Sequence, residues 1–421
     1  MRVCFVQPNS NYQIISNKIA FSLTFPQIIC NLNLDRDFYI YIDGRNKQPF
    51  VSFLTKNSIT HVFITSITSN YPRAVMLART AKTIGCITVL GGLFATLNSD
   101  VIAKKYNCFD YIIVGGINKS IISKIINEPQ KPTIFYIPRI DQFNKPLNPI
   151  MLSSPFVETF DTNDFVCYEL GNGCTYNCSF CTLRSAFGNK YRARNQNIIQ
   201  EDLYALCNVW KRLKLIDDDI FQSQSLLSNL DFSGFQEIIV ETRPNHLDKE
   251  FIQLCSKRGI THIITGVESF NSLSLKLLNK SADNNWIKSI KNAIELCDKY
   301  SITLRPVVML SSPNSIIDDY SELLSITQDW QPENHVELLI SMFTPHPGMT
   351  PPKGELLTND LSLFDHLHLV FIPNSLHDID CDIIIQYYNE LVKQTKSYKF
   401  NPSIRIKKQI IKEYIPFFEK E

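Results

Sequence analysis

The sequence predicts an α/β protein made of two parallel-sheet units in series, an open doubly wound sheet and then a partial (β/α)6 barrel, followed by a C-terminal extension. Three observations carry this prediction. Short β-branched runs alternate with helical patterns up to Gly116, and the same alternation resumes at Phe165 and continues to Met342. Between them lie Pro129, Pro132, Pro138, Pro146, Pro149 and Pro155, a density that prevents helix and central strand alike. At 421 residues the chain is long enough for two or three separate cores.

In the first unit, Val3–Val6, Phe38–Ile42, His61–Thr65, Ile87–Leu90 and Tyr111–Val114 read as strands. Asp43 with Gly44, Gly91 with Gly92, and Gly115 with Gly116 close three of them. The clearest helix lies between the third and fourth. Pro72 suits its first turn, Val75, Leu77, Ala78, Ala81 and Ile84 form its apolar face, and Gly85 suits its end. Five such strands suggest the flavodoxin-like doubly wound order, with helices on both faces. Ligands in that order sit at the carboxyl ends of the strands. Here those ends are Gln7–Ser10, Ser66–Asn70, Gly91–Leu93 and Gly115–Asn118.

In the second unit, Phe165–Leu170, Lys214–Ile216, Glu237–Thr242, His262–Val267, Thr303–Leu310 and His335–Met342 read as strands, and Ile198–Leu213 and Trp286–Tyr300 as helices. Six strands make an open three-quarter barrel with room for a large substrate, and barrel chemistry sits at the strands' carboxyl ends. The expected limits are 1–128 for the first domain, 129–160 for a proline-rich linker, 161–345 for the barrel and 346–421 for an extension that closes it.

Composition narrows the function classes. Hydrophobic content of 44%, charge of 20% and a formal net charge of +1, with no Lys/Arg block, give no reason to expect nucleic acid as a partner. No apolar run has the length of a membrane span. The start, Met1–Pro8, reads as a strand rather than a signal peptide. Of twelve cysteines, nine are scattered without regular spacing, which suits reduced thiols and a cytoplasmic location.

The other three cysteines stand together. Cys174, Cys178 and Cys181 have the spacing Cys-x3-Cys-x2-Cys, with Phe180 just before the last. Three thiolates on one loop can hold three irons of a [4Fe-4S] cluster, leaving the fourth iron open to a substrate or cofactor. A structural zinc site usually pairs two Cys-x2-Cys knuckles, and the chain has no second one.

This run resembles the signature of the radical S-adenosylmethionine (radical SAM) superfamily. Four further segments resemble the branch that carries cobalamin-type N-terminal domains: Asp217–Phe221, Thr242–Pro244, Gly266–Ser269 and Thr344–Gly348, each at a strand's carboxyl end. The resemblance covers residues 1–350. It implies that S-adenosylmethionine (SAM) binds the open iron through its amino and carboxylate groups. An electron from an external flavodoxin- or ferredoxin-type donor then cleaves SAM to methionine and a 5′-deoxyadenosyl radical, which takes hydrogen from substrate. It places Phe180 near the adenine. Asp218 and Glu268 suit the ammonium and ribose diol of SAM, and Arg243 or Arg305 suits its carboxylate. The alternative for each is a barrel-rim salt bridge.

In the first unit the resemblance implies that Ser66, Thr68, Gly91 and Gly92 line a slot for the nucleotide tail of cobalamin, glycine allowing close approach of backbone. No Asp-x-His-x-x-Gly segment succeeds the first strand, so no lower axial histidine is expected, and a scaffold without the cofactor is the alternative. The resemblance leaves two reactions open. The first is inversion of a Cα centre in a peptide substrate, with a thiol returning hydrogen, and Cys381 in the tail is the expected donor. The second is C-methylation of a substrate by cobalamin-dependent chemistry. A cobalamin-type binding or electron-transfer protein is the reading outside catalysis.

Overall fold

The computed structural model describes residues 2–9, 21–32, 38–127, 133–137, 145–147, 164–280, 286–379 and 381–397. The first sheet has six strands, all parallel, in the spatial order Phe38–Ile42, Val3–Gln7, His61–Thr65, Ile87–Gly91, Tyr111–Gly115 and Thr133–Ile137. The first five run in the doubly wound order expected. The sixth lies in the stretch expected to be linker. Pro132 and Pro138 flank it without entering it, and it sits at the sheet edge, where a missing N–H costs least.

The second sheet has the order Leu339–Met342, Thr303–Leu310, His262–Glu268, Glu237–Thr242, Arg212–Leu215, Phe165–Tyr168 and Phe21–Ser22, again all parallel. Six of these are the expected barrel strands in sequence order. The seventh, a two-residue strand, comes from the N-terminal half and extends the open edge beside Phe165–Tyr168.

Side chains inside the curled sheet form layers. At the amino end, Arg212 pairs with Glu237 at 2.6 Å and Arg305 with Glu337 at 2.7 Å, closing the bottom with charge. Above them Phe165, Ile239, Ile264 and Leu339, with Val307 against them, make an apolar plug. On top, Lys214 and Glu241 pair at 2.6 Å on a cavity floor shared with Met309 and Ser341. Arg305 therefore belongs to the closed end. It stands third in its strand, and only the carboxyl end faces the chemistry, so its expected role with SAM is corrected to a structural ion pair.

One apolar core joins the two units. It includes Tyr71, Phe94 and Phe109 from the first unit, Met309 and Phe343 from the barrel, and Met349, Phe364 and Phe371 from the C-terminal extension. After the barrel, Gly354–Leu356 pairs with Phe371–Pro373 in an antiparallel hairpin, and the helix Cys381–Thr395 packs behind it. Cys381 packs at the start of that helix, against the core that holds Ile384, Tyr388 and Leu391. Among the described residues, no helix is long and apolar enough to cross a membrane.

Candidate active site

The cysteine loop leaves the first barrel strand through Gly171 and Gly173. A Cβ on Gly171 would strike the Tyr191 ring and the Arg192 carbonyl, and one on Gly173 the Lys190 carbonyl. Gly173 also has φ +85°, which glycine adopts without strain. The loop is thus pressed onto the segment Lys190–Arg192, where Gly171–Asn172 and Arg192–Ala193 pair as short antiparallel strands. Asp217 is the anchor. Its buried carboxylate accepts from Leu170 N–H at 2.8 Å, Tyr191 O–H at 2.7 Å and Ser223 O–H at 3.1 Å. Burial pushes its pKa up to about 6, against the pull of those donors.

Cys174, Cys178 and Cys181 are half-buried and line one cavity of about 320 Å³ at the carboxyl ends of the barrel strands. Each sulfur has an N–H donor: Cys174 accepts from Gln222 Nε2 at 3.5 Å and from the Tyr176 backbone, Cys178 from Arg243 Nη1 at 3.3 Å, and Cys181 from the Leu183 backbone at 3.5 Å. Burial raises the Cys174 thiol and pushes Cys181 up to about 12, so ionising them requires compensating positive charge, as iron supplies to its thiolate ligands. Among the described residues, no three His, Cys, Asp or Glu side chains converge on a single-ion point. Sulfurs ringing a cavity, each with an N–H donor, suit a multi-iron cluster better than zinc.

Phe180, Asp218, Arg243 and Glu268 line the same cavity, and neither Arg305 nor Cys381 does. Glu268 lies just past an irregularity in strand pairing at Gly266 and takes φ +62°, a left-handed conformation. Its carboxylate meets Lys280 Nζ at 2.9 Å, with both side chains nearly buried. Lys280 Nζ also lies 5.6 Å from the centre of the Phe180 ring. Lys280 is reached through the loop after the helix Ser272–Leu277, and nothing in its own sequence surroundings marks it.

Asp219 is a second residue that sequence reasoning missed. Only 1% exposed, it accepts from Thr242 O–H at 2.7 Å through Oδ1, which also lies 3.3 Å from His246 Nδ1. Its Oδ2 has no hydrogen-bond partner among the described residues, and Asp219 lines the cavity. The run of three aspartates was its signal. Their roles divide: Asp217 anchors the loop, while Asp218 and Asp219 face the cavity.

A second cavity, of about 240 Å³, opens at the carboxyl ends of the first sheet. Thr65, Gly91, Gly92, Thr96, Gly115 and Gly116 form its polar and glycine rim, over apolar walls such as Phe5 and Phe63. Ser66 and Thr68 do not line it, a correction to their expected part. Ser66 is buried and gives both its N–H (2.9 Å) and O–H (3.1 Å) to the Gly91 carbonyl, while Thr68 faces His346 of the barrel side at 2.9 Å. Gly92, at φ +93°, lies so close that a Cβ would stand 2.6 Å from the Ser66 backbone. A glycine rim over an apolar floor fits a flat aromatic group. The short helix Leu183–Phe187 links the two sites, Leu183 lining the first cavity and Phe187 the second.

Residues 168–323 match the Radical SAM superfamily. Together with the fold and the three-cysteine site, this marks a radical SAM domain, the class that uses SAM and a [4Fe-4S] cluster, behind a doubly wound α/β domain. The chain is 23% identical to bacteriochlorophyllide d C-12(1)-methyltransferase of Chlorobaculum tepidum, over 88% of this chain and 82% of that protein. It is 25% identical to hopanoid C-3 methylase of Methylococcus capsulatus, over 77% of this chain and 65% of that one. Among solved structures it resembles the radical SAM methyltransferase TsrM of Kitasatospora setae, with cobalamin and a [4Fe-4S] cluster bound. The TM-score is 0.70 at 12% identity, covering 96% of this chain and 92% of that one. It also resembles the cobalamin-dependent radical SAM enzyme OxsB, with TM-score 0.58 at 13% identity, covering 78% and 52%. The expectation of peptide epimerisation finds no support in these relatives, and the alternative, methyl transfer, does.

Proposed function

We propose that this protein is a cobalamin-dependent radical SAM methyltransferase acting on a carbon of its substrate. One observation carries the reading: a thiol-ringed cavity and a glycine-rimmed cavity stand at the two ends of one five-residue helix. When bound, the cluster and SAM would supply hydrogen-abstracting chemistry, and cobalamin would carry the methyl group.

The chain's own residues hold these groups. Cys174, Cys178 and Cys181 ligate three irons, and Gly171 and Gly173 let their loop lie flat on residues 190–192. Asp219, with Asp218, takes the SAM ammonium, because a buried carboxylate oxygen without a donor is costly until a cation reaches it. Lys280 is the cation for the SAM carboxylate, Glu268 takes the ribose hydroxyls beside it, and Phe180 lies against the adenine. Gly91, Gly92, Thr96 and Gly115 receive the cobalamin tail. The apolar plug under Lys214 and Glu241 keeps water from entering through the barrel bottom.

The test is anaerobic reconstitution with iron, sulfide and hydroxocobalamin, then addition of SAM and a reductant. The expected result is a retained corrinoid spectrum and 5′-deoxyadenosine formation, the latter lost in Cys174→Ala. A protein that cleaves SAM but retains no corrinoid would sink the methyltransferase reading while leaving the radical SAM class intact.

A further inference from the structure

We propose that Arg243 sets the reduction potential of the cluster through Cys178, rather than binding the carboxylate of SAM. The inference rests on the reading of Cys174, Cys178 and Cys181 as cluster ligands.

Position comes first. Arg243 ends the Glu237–Thr242 strand and precedes Pro244, which restricts it to extended backbone, observed at φ −83° and ψ 149°. The side chain is then held on every side. Its guanidinium carbon stands 4.0 Å from the centre of the Tyr176 ring, Nη2 donates to the Lys280 carbonyl, Nε reaches Asn245 Oδ1 at 3.4 Å, and Nη1 donates to Cys178 Sγ at 3.3 Å. The residue is 9% exposed. A planar fork with these commitments is occupied, whereas Lys280 is a compact cation beside Glu268 and Phe180.

Charge comes second. The donors to the other two sulfurs, the Gln222 amide and the Tyr176 and Leu183 backbone N–H groups, are neutral. Arg243 brings a permanent positive charge to the third, in surroundings that screen it weakly. Reduction adds one negative charge to a cluster. Hydrogen bonds to its sulfurs and nearby positive charge stabilise the reduced form more than the oxidised form. Arg243 therefore makes the cluster easier to reduce. Tyr176 holds the guanidinium in place and is itself fixed by His246, whose Nε2 lies 2.8 Å from the phenol oxygen.

The experiment is a spectroelectrochemical titration of reconstituted protein, with cluster content matched by iron and sulfide analysis and no substrate added. Arg243→Gln should make reduction about tenfold less favourable, a midpoint about 59 mV lower for one electron. Arg243→Met, also neutral, should move it the same way, and Arg243→Lys, which keeps charge but loses the guanidinium's hydrogen bond to Cys178, by less. A wild-type midpoint in either neutral variant overturns the proposal. If neither neutral variant loads a cluster, Arg243→Lys decides: a midpoint below wild type supports the assignment, and one equal to wild type overturns it. Failure of the wild-type protein itself to form a [4Fe-4S] spectrum would instead overturn the cluster reading.

Discussion

Thr68 Oγ1 lies 2.9 Å from His346 Nδ1, and this contact ties a loop of the first sheet to the loop after the last barrel strand. His346 Nε2 in turn lies 3.0 Å from His366 Nε2, and His366 lines the thiol-ringed cavity. The two domains are therefore coupled through two facing imidazoles, of which one must donate and the other accept.

Burial lowers the pKa of both histidines, His346 most strongly, and the nearby His366 further disfavours the His346 cation. The unfolded chain takes up protons on them near pH 6.5 and the folded protein only below that. Stability from this pair is thus complete above about pH 6.5 and is lost as the pH falls from there. Denaturant unfolding at pH 7.5 should show His346→Gln weaker than wild type by about 1–2 kcal/mol, for the lost contacts. Between about pH 6.5 and 5 the wild type should lose stability more steeply than the variant. Parallel slopes would show that the pair does not titrate on unfolding.

Adjacent glycines at the second cavity should respond in opposite ways. A Cβ on Gly92 meets the Ser66 backbone at 2.6 Å in a left-handed conformation, so Gly92→Ala should cost about 2–3 kcal/mol of stability. A Cβ on Gly91 meets nothing within 4 Å, and the residue lines the cavity. Gly91→Phe should therefore leave stability within about 0.5 kcal/mol and fill the space instead. Its measurable effect is loss of retained corrinoid after gel filtration, with iron content unchanged. Full corrinoid retention in Gly91→Phe would place the ligand elsewhere.

Much of the molecule was legible because it is local. Cys174, Cys178 and Cys181 fall on one loop whatever the rest of the chain does, and short β-branched runs alternating with helical patterns imply parallel strands and hence which end carries the site. Features that depend on distant packing were not legible. Lys280 lines the cavity beside a turn, after the Ser272–Leu277 helix, that is held on the cysteine loop: Ser179 N–H donates to the Leu278 carbonyl at 3.0 Å and Asn279 Nδ2 to the Asn177 carbonyl at 2.6 Å. The hydrogen bond from Arg243 to Cys178 joins residues 65 apart in sequence. Thr133–Ile137 was hidden by its flanking prolines, which exclude a central strand but tolerate an edge. Arg305, by contrast, could have been set aside from strand direction alone, since it lies at the amino end.

The three aspartates after the second barrel strand separate by experiment. Asp217→Asn should weaken the fold, since the carboxylate holds Leu170, Tyr191 and Ser223 together. Asp219→Asn keeps an oxygen for Thr242 and removes the charge at the unpartnered position. Equilibrium dialysis of SAM against cluster-loaded protein should show about tenfold weaker binding, the loss expected for one charge-assisted contact. A wild-type dissociation constant in Asp219→Asn would remove it from the SAM site.

Cys381 separates methyl transfer from epimerisation. A thiol that returns hydrogen to a substrate radical must reach the cavity, and Cys381 instead stands at the start of the last helix, half-buried against the core that holds Ile384 and Tyr388. A cysteine in that place acts as a small apolar side chain. Cys381→Ala should lower stability by about 1 kcal/mol and leave SAM cleavage within about twofold of wild type. Incubation in deuterated water with a peptide substrate should place no solvent deuterium at Cα in either protein. Deuterium at Cα in the wild type that disappears in Cys381→Ala would restore the epimerase reading, because no methyl transfer from cobalamin delivers a solvent-exchangeable thiol hydrogen to carbon.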